Sequence, residues 1–134
     1  MTIITSINNT TRIRADLHIH TVLSPCAEDE MTPHNIIRTA LLCGLDAIAI
    51  TDHNSTGNLR SFVEAARGTD LKVIPGVEIQ TQEEVHVLGL FKNVEDAEGF
   101  GSKLYMYLPD MMNKRDYFGP QFFVDAEDNI IGEE

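Results

Sequence analysis

The chain has few cysteines and no long apolar run. Its 134 residues include two cysteines, Cys26 and Cys43, and their spacing does not form the disulfide framework of a small secreted protein. No apolar stretch approaches the about 20 residues that a membrane-spanning helix needs. The first residues also lack the apolar core of a signal peptide. We therefore expect a protein of the reducing cytoplasm that does not enter a membrane.

Positive charge is also scarce. Ten lysines and arginines stand against 21 acidic residues, which gives a formal net charge of -11. A chain this acidic repels phosphate backbones unless its basic residues cluster, and the sequence contains no basic stripe. A small substrate is therefore favoured over a long nucleic acid. Acidity that serves only solubility is an equally good explanation of the charge.

The hydrophobic pattern predicts a polar leader over residues 1–12 and an α/β domain over 13–134. Strands are predicted to alternate with helices, which indicates βαβ units and a parallel sheet. A tail over 94–134 is predicted as a helix to about Leu108, followed by a small hairpin. The predicted elements are strands 14–20, 46–51, 71–74 and 85–91 and helices 32–43 and 58–67. Leu41 and Cys43 are assigned to the buried face of the first helix.

The clearest chemical signal is Asp16-Leu17-His18-Ile19-His20. Residues i and i+2 of a strand point to the same face, so His18 and His20 can converge on one metal ion. Asp16 shares that face and is a candidate for orienting an imidazole. Two histidines that merely decorate a strand are the competing interpretation.

Three further signals lie at the ends of, or within, later predicted strands. Asp52 and His53 follow the apolar run that ends at Ile50, which is where active-site groups of parallel α/β proteins lie. Glu78 follows a Pro-Gly turn, and His86 interrupts an apolar strand. The alternative for Asp52 and His53 is an Asx-type turn. The alternative for Glu78 is a surface carboxylate, and for His86 it is a hydrogen-bonded core histidine. The shared placement of the four histidines on predicted strands or at their ends favours a common metal site.

One cysteine is a weaker candidate, and one histidine is left out. Cys26 lies in the loop after the paired histidines, where its thiolate is a candidate ligand for a further ion, although a simple loop or core cysteine fits as well. His34 falls in the first turn of a helix and is left out of the predicted site. Histidine-rich ligation suits Zn, Mn or Fe better than Mg or Ca.

Four segments together resemble the first four motifs of the PHP superfamily, named for polymerase and histidinol phosphatase. These segments are 16–21 (DLHIHT), 51–53 (TDH), 75–78 (PGVE) and 86–89 (HVLG), and the resemblance covers residues 13–91. It implies about half of a distorted (β/α)₇ barrel related to the TIM barrel, with up to three metal ions at the strand ends.

The resemblance also implies ligand roles and a reaction. His18 and His20 resemble ligands of a first ion, Glu78 a carboxylate that bridges two ions, and His86 a ligand of the second. His53 and Cys26 resemble ligands of a third ion. The implied activity is hydrolysis of a small phosphomonoester or phosphodiester by metal-activated water, with Asp16 and Asp52 orienting imidazoles.

The family's later histidine and final Asp-x-His motif have no counterpart here, because no histidine follows His86. The piece is therefore expected to be part of a longer barrel, or a half-barrel that pairs with a second copy as a homodimer, or a half-barrel whose open side the tail hairpin covers. This gap leaves open whether the 134 residues are active by themselves. It also keeps a non-catalytic metal-binding or dimerisation module as an alternative function. An amidohydrolase-like hydrolase is a second alternative, since those barrels also begin with H-x-H.

Overall fold

A computed structural model describes residues 12–111 and 113–134, so the leader predicted over residues 1–12 falls almost entirely outside the described residues. The domain contains a four-stranded sheet, helices packed against it, and a separate two-stranded hairpin. In chain order the elements are β1 (Ala15–Ile19), α1 (Pro33–Leu42), β2 (Ala47–Ile50), α2 (Leu59–Ala65), β3 (Lys72–Gln80), β4 (His86–Leu90), α3 (Val94–Tyr105), α4 (Arg115–Phe118), β5 (Phe122–Val124) and β6 (Ile130–Glu133).

The sheet has the order β1-β2-β3-β4, and its first three strands are parallel. This arrangement confirms the predicted α/β half-barrel. The prediction of a parallel fourth strand is wrong, because β4 pairs antiparallel with β3. Parallel neighbours need a crossover of about a dozen residues or more, whereas the connection here is a tight turn in which Glu84 has a φ of 61°. The sheet is therefore mixed.

The main core lies between the sheet and the first three helices. Ile48 and Ile50 of β2 are fully buried, as expected for an apolar central strand flanked on both edges. They pack with Ile36 and Ile37 of α1 and with Phe62 of α2. Core packing of this kind explains why these strands and helices form from short apolar segments, whose own propensities are weak.

Two residues assigned to the apolar face of α1 are not in this core. Leu41 is exposed, and so is Cys43, which caps the C-terminus of α1 instead of lying within it. The helix ends because Gly44 takes a φ of 68°, a conformation that glycine adopts without strain. Cys43 therefore lies beyond the last turn that the core can bury.

The tail combines a helix with the hairpin. Asn93 caps the start of helix α3, because its side chain accepts a hydrogen bond from the Asp96 amide, and the helix ends three residues before the predicted Leu108. The hairpin of β5 and β6 packs beside the loop after β1, where the Phe122 amide donates to the Val22 carbonyl at 2.9 Å. In the part of the chain described, no helix combines the length and apolar character needed to cross a membrane.

The two edges of the four-stranded sheet keep exposed apolar side chains. Leu17 on β1 and Val87, Leu88 and Leu90 on β4 are each at least 40% exposed. Unpaired edges with apolar side chains are a pairing liability unless another segment or chain covers them. Within residues 12–111 and 113–134, the tail hairpin does not cover either edge, because it pairs with itself beside the loop after β1.

Candidate metal centre

Four strands bring their polar side chains to one end of the sheet. His18 and His20 lie at the end of β1, and His53 follows the end of β2. An isolated parallel bridge pairs His53 with Glu78 of β3, so the ladder between these strands continues past Ile50. His86 also lies at this end of the sheet, although it is the first residue of its strand and not the last. Because β4 is antiparallel, its first residue lies at the edge where the other strands end.

Glu78 is at the centre of the cluster and is 3% exposed. Its Oε2 lies 2.8 Å from His20 Nε2, 3.2 Å from His18 Nε2 and 3.2 Å from His53 Nδ1. Its other oxygen, Oε1, lies 3.0 Å from His86 Nδ1. One buried carboxylate therefore faces imidazoles from three different strands or strand ends.

The geometry of these atoms fits a divalent cation. Glu78 Oε2 and His53 Nδ1 are both buried, and neither makes a well-formed hydrogen bond within the described residues. The Nε2 atoms of His18 and His20 lie 3.1 Å apart. Zn–N bonds of about 2.0–2.1 Å in a tetrahedral site would separate ligand atoms by roughly 3.3 Å. The donor atoms are thus already near the spacing that a shared ion requires, and the site is suited to divalent metal.

Three overlapping groups of side chains have ligand atoms within 4.8 Å of one another. They are His18, His20 and Glu78; His53, Glu78 and His86; and His20, Cys26 and His53. Glu78 can serve two groups, because a carboxylate has two oxygens. A neutral imidazole has one free lone pair, so His20 serves only one of its two groups at a time. Its Nε2 faces Glu78, and its Nδ1 lies 3.1 Å from Cys26 Sγ.

The pKa shifts in the cluster favour the protonation states that bind metal. Burial lowers the pKa of His20 and of His53, only partly offset by the negative charge of Glu78. Burial by itself would raise the pKa of Glu78, but the close approach of His18 and the charge that the surrounding histidines carry when protonated outweigh it, and the net shift is downward. Neutral imidazoles around an ionised carboxylate are the forms that ligate divalent cations. Burial raises the pKa of Cys26, which therefore favours the thiol until a cation is bound.

The carboxylate of Asp52 contacts the loop that follows β1. It is fully buried and accepts hydrogen bonds from the Thr21 amide at 2.6 Å, from Thr21 Oγ1 at 2.7 Å and from Ser24 Oγ at 2.7 Å. Burial raises its pKa, and these donors oppose that shift. Ser24 Oγ in turn accepts from the His53 amide at 3.1 Å. Asp52 therefore holds the loops that carry His20 and His53, and among the described contacts it does not bond to an imidazole.

The carboxylate of Asp16 contacts its own strand, and its role in orienting an imidazole stays a prediction. Its carboxylate accepts a hydrogen bond from the His18 backbone amide at 3.2 Å. The side chain is exposed, and its described contact is with backbone and not with a ring nitrogen. This contact places Asp16 to fix the end of β1. His34, omitted from the predicted site, lies away from it beside Asp128 of the tail hairpin.

Sequence reasoning missed a buried residue, Asn58, that ties the tail to this centre. Its Nδ2 donates to Thr21 Oγ1 at 3.1 Å and to the Phe122 carbonyl at 3.0 Å. Its Oδ1 accepts from the Val124 amide at 3.0 Å. Thr21 and Ser24 were missed too, although a polar pair within four residues after H-x-H is a readable signal. Nothing in the sequence links Asn58 to Phe122, since 64 residues separate them.

The fold and the centre define a class: an α/β half-barrel that gathers histidines and one glutamate at one end of its sheet for divalent metal. A family model, the PHP domain, matches residues 16–124. The chain belongs to the PHP domain family. The match extends beyond the four motifs into the tail.

Relatives and solved structures agree with this assignment. The 5'-3' exoribonuclease Rnm of Salmonella typhimurium is 36% identical over 80 residues, which are 56% of this chain and 26% of that protein. The PolC-type DNA polymerase III of Thermotoga maritima is 31% identical over 96 residues, 71% of this chain and 7% of the polymerase. An amidohydrolase structure from Chromobacterium violaceum superposes with a TM-score of 0.56 at 29% identity, covering 69% of this chain and 32% of that one. The chain thus spans about a quarter of the exoribonuclease it matches.

Proposed function

We propose that this chain forms the metal-binding half of a phosphoesterase that hydrolyses a small phosphomonoester or phosphodiester. The observation that carries the proposal is the convergence of His18, His20, His53 and His86 on the buried carboxylate of Glu78. Membership of a family whose relatives include an exoribonuclease and a polymerase supports phosphoester chemistry over other hydrolytic reactions.

Each residue has a proposed task. His18 and His20 hold a first ion, Glu78 bridges it to a second held by His86, and His53 with Cys26 contributes to a third. Bound divalent ions supply an acidified water and neutralise charge on the phosphoryl oxygens. The imidazole and thiolate donors favour Zn, Mn or Fe over Mg or Ca. Asp52 acts through its hydrogen bonds to Thr21 and Ser24, which fix the two loops that present the ligands.

A small substrate is proposed over a long nucleic acid because the chain has a net charge of -11. This proposal differs from the exoribonuclease activity for which the Salmonella relative is named, and the matched segment is only a part of that relative. Hydrolysis of small phosphomonoesters, followed by released phosphate, and of small phosphodiesters, followed by the released alcohol, is compared with shortening of a labelled oligoribonucleotide by the same preparation. This comparison distinguishes the two substrate classes.

The test of the reaction is phosphoester hydrolysis by the purified chain after EDTA treatment and reconstitution with Mn²⁺ or Zn²⁺. Activity is expected only with metal, and His18→Ala is expected to abolish it. His34→Ala is the matched control, because His34 is an exposed histidine outside the cluster. Activity that persists in His18→Ala would remove that residue from the mechanism.

A second candidate is a non-catalytic module that binds metal and completes its barrel through a second copy. The exposed apolar side chains on β1 and β4 favour it, because both edges of the sheet are open to a partner in the described chain. Stoichiometric metal without turnover, together with a dimer by sedimentation that Leu88→Lys dissociates, would favour this module. The similarity to an amidohydrolase keeps C–N bond hydrolysis as a third candidate, which amide substrates in the same assay would detect.

A further inference from the structure

A large cleft opens beside the metal centre. Its volume is about 1010 Å³, and Cys26 and His53 line it at the end where the metal ligands lie. The opposite wall comes from the tail, within the described residues of the segment 105–121. Pockets for small ligands typically measure about 300–1,000 Å³, so the cleft has room for a substrate that extends well beyond one phosphoryl group.

The tail contributes apolar and aromatic side chains to the cleft, beside polar and charged ones. Tyr105, Met111, Tyr117 and Phe118 line the cleft, and all four side chains are more than half exposed. The rings of Tyr117 and Phe118 meet edge to face with centroids 4.7 Å apart. Soluble domains rarely leave so many large apolar side chains exposed together, and such groups commonly mark a ligand groove. Their continuity with His53 and Cys26 indicates that the ligand is the substrate of the metal centre.

The charged groups of the cleft restrict that ligand further. Arg115 is the cation of the tail wall, and its guanidinium is paired with Glu133 at 3.3 Å. Asp110 and Glu134 also line the cleft. Acidic side chains near the tail wall repel an additional anionic group on the ligand. These charges favour binding of the phosphoryl group at the metal end of the cleft.

We propose that the cleft receives the leaving group of the phosphoester, and that Tyr117 and Phe118 select a leaving group with a flat, uncharged aromatic ring. This inference rests on the proposed function, because the metal centre fixes the phosphoryl group at one end. The ring then stacks against the tail, in the way that aromatic side chains pair at offset or edge-to-face distances of about 4.5–7 Å.

Equilibrium binding of phosphonates to the full chain tests the proposal without turnover. The probes are phenylphosphonate, methylphosphonate and 4-phosphonobenzoate, titrated by NMR into the Zn²⁺-loaded protein. Phenylphosphonate is expected to bind several-fold more tightly than methylphosphonate, since an aromatic pair gives roughly a two- to tenfold gain. The carboxylate of 4-phosphonobenzoate is expected to cancel that gain.

Tyr117→Ala and Phe118→Ala are each expected to reduce the preference for the phenyl probe to about twofold or less. The matched control is Tyr107→Ala, because Tyr107 is 84% exposed, close to the 81% of Tyr117, and does not line the cleft. Circular dichroism of each variant checks that the fold is intact, and the two tail variants serve as replicates if one of them misfolds.

The outcomes separate this inference from the proposed function. Equal binding of the phenyl and methyl probes overturns the inference, even if the protein hydrolyses phosphoesters. A phenyl preference that survives both tail variants also overturns it. A phenyl preference lost in both tail variants supports the inference, and it does so even where no hydrolysis of any phosphoester is detected.

Discussion

Replacing Asn58 with alanine tests whether the tail hairpin and the metal centre form one cooperative unit. The side chain is fully buried and makes three hydrogen bonds, to Thr21, Phe122 and Val124. Each is worth about 0.5–1.5 kcal/mol, and a buried group left without a partner costs about 1–3 kcal/mol. The Val124 amide is the group most affected, because Val124 is 1% exposed.

Because the two contributions overlap, we expect a net loss of roughly 3–5 kcal/mol in the free energy of unfolding. That is a large part of the about 5–15 kcal/mol that stabilises a typical domain. At about 3–5 °C per kcal/mol for a chain of this size, the melting temperature is expected to fall by roughly 10–20 °C. Urea and thermal unfolding in EDTA measure both quantities without a contribution from metal binding.

Two further variants sharpen the result. Asn35→Ala removes one exposed hydrogen bond, to the Glu30 carbonyl, and is expected to cost less than about 1 kcal/mol. Asn58→Asp keeps an acceptor for the Val124 amide but loses both donors, so it is expected to destabilise at least as much as the alanine variant. An unfolding free energy for Asn58→Ala within about 1 kcal/mol of the wild type would refute the reasoning.

Three other predictions follow from the described contacts. Burial lowers the pKa of His20 and His53 below 6.5, so the unfolded chain binds protons at a higher pH than the folded chain does. The free energy of unfolding in EDTA should therefore fall as the pH is lowered from about 7.5 to 5.5. The slope of this fall should be shallower in His20→Asn. Asp52→Asn should weaken Zn²⁺ binding by about 10–100-fold in calorimetric titration, because the NH₂ group of the new asparagine is a donor that would face the hydroxyl and backbone amide donors of the ligand loops. Unchanged affinity would contradict this role. Gly76→Ala should destabilise the protein by about 1–3 kcal/mol in urea unfolding, since a Cβ would lie 2.8 Å from a methyl carbon and 3.0 Å from two backbone oxygens. In contrast, the Cβ of Gly99→Ala would meet no atom within 4 Å, and this variant should stabilise α3 by about 0.5–1 kcal/mol. Equal effects of the two variants would be inconsistent with this packing.

The sequence predicts the half-barrel because its strands and helices carry local signals. The apolar run 46–51 marks a buried central strand, and Thr32-Pro33 marks the start of α1, as the structure shows. The hydrophobic pattern of β4 does not indicate whether the strand runs parallel or antiparallel to β3. A strand has the same period whichever way it runs, and only the short turn before His86 carried the information.

The candidate site also contains some residues that the sequence predicts and others that it does not. Residues that lie in strands or at their ends, such as His18, His20 and Glu78, could be brought together by reasoning about strand ends. The roles of Asp52 and Asn58 could not, because their partners lie 28–66 residues away in sequence and are fixed by tertiary packing. The cleft wall from the tail was missed for the same reason, since no chemical motif marks Tyr117 or Phe118.

The most direct test of the central claim is metal binding by Glu78→Gln, a variant that keeps the side chain's shape and removes its charge. The chain is stripped with EDTA and titrated with Zn²⁺ by calorimetry, with His34→Gln as the control outside the cluster. The account predicts wild-type affinity for His34→Gln and a loss for Glu78→Gln that exceeds the roughly 100-fold upper range for residues that only support a ligand. Wild-type affinity in Glu78→Gln would contradict the claim that this buried carboxylate organises the site.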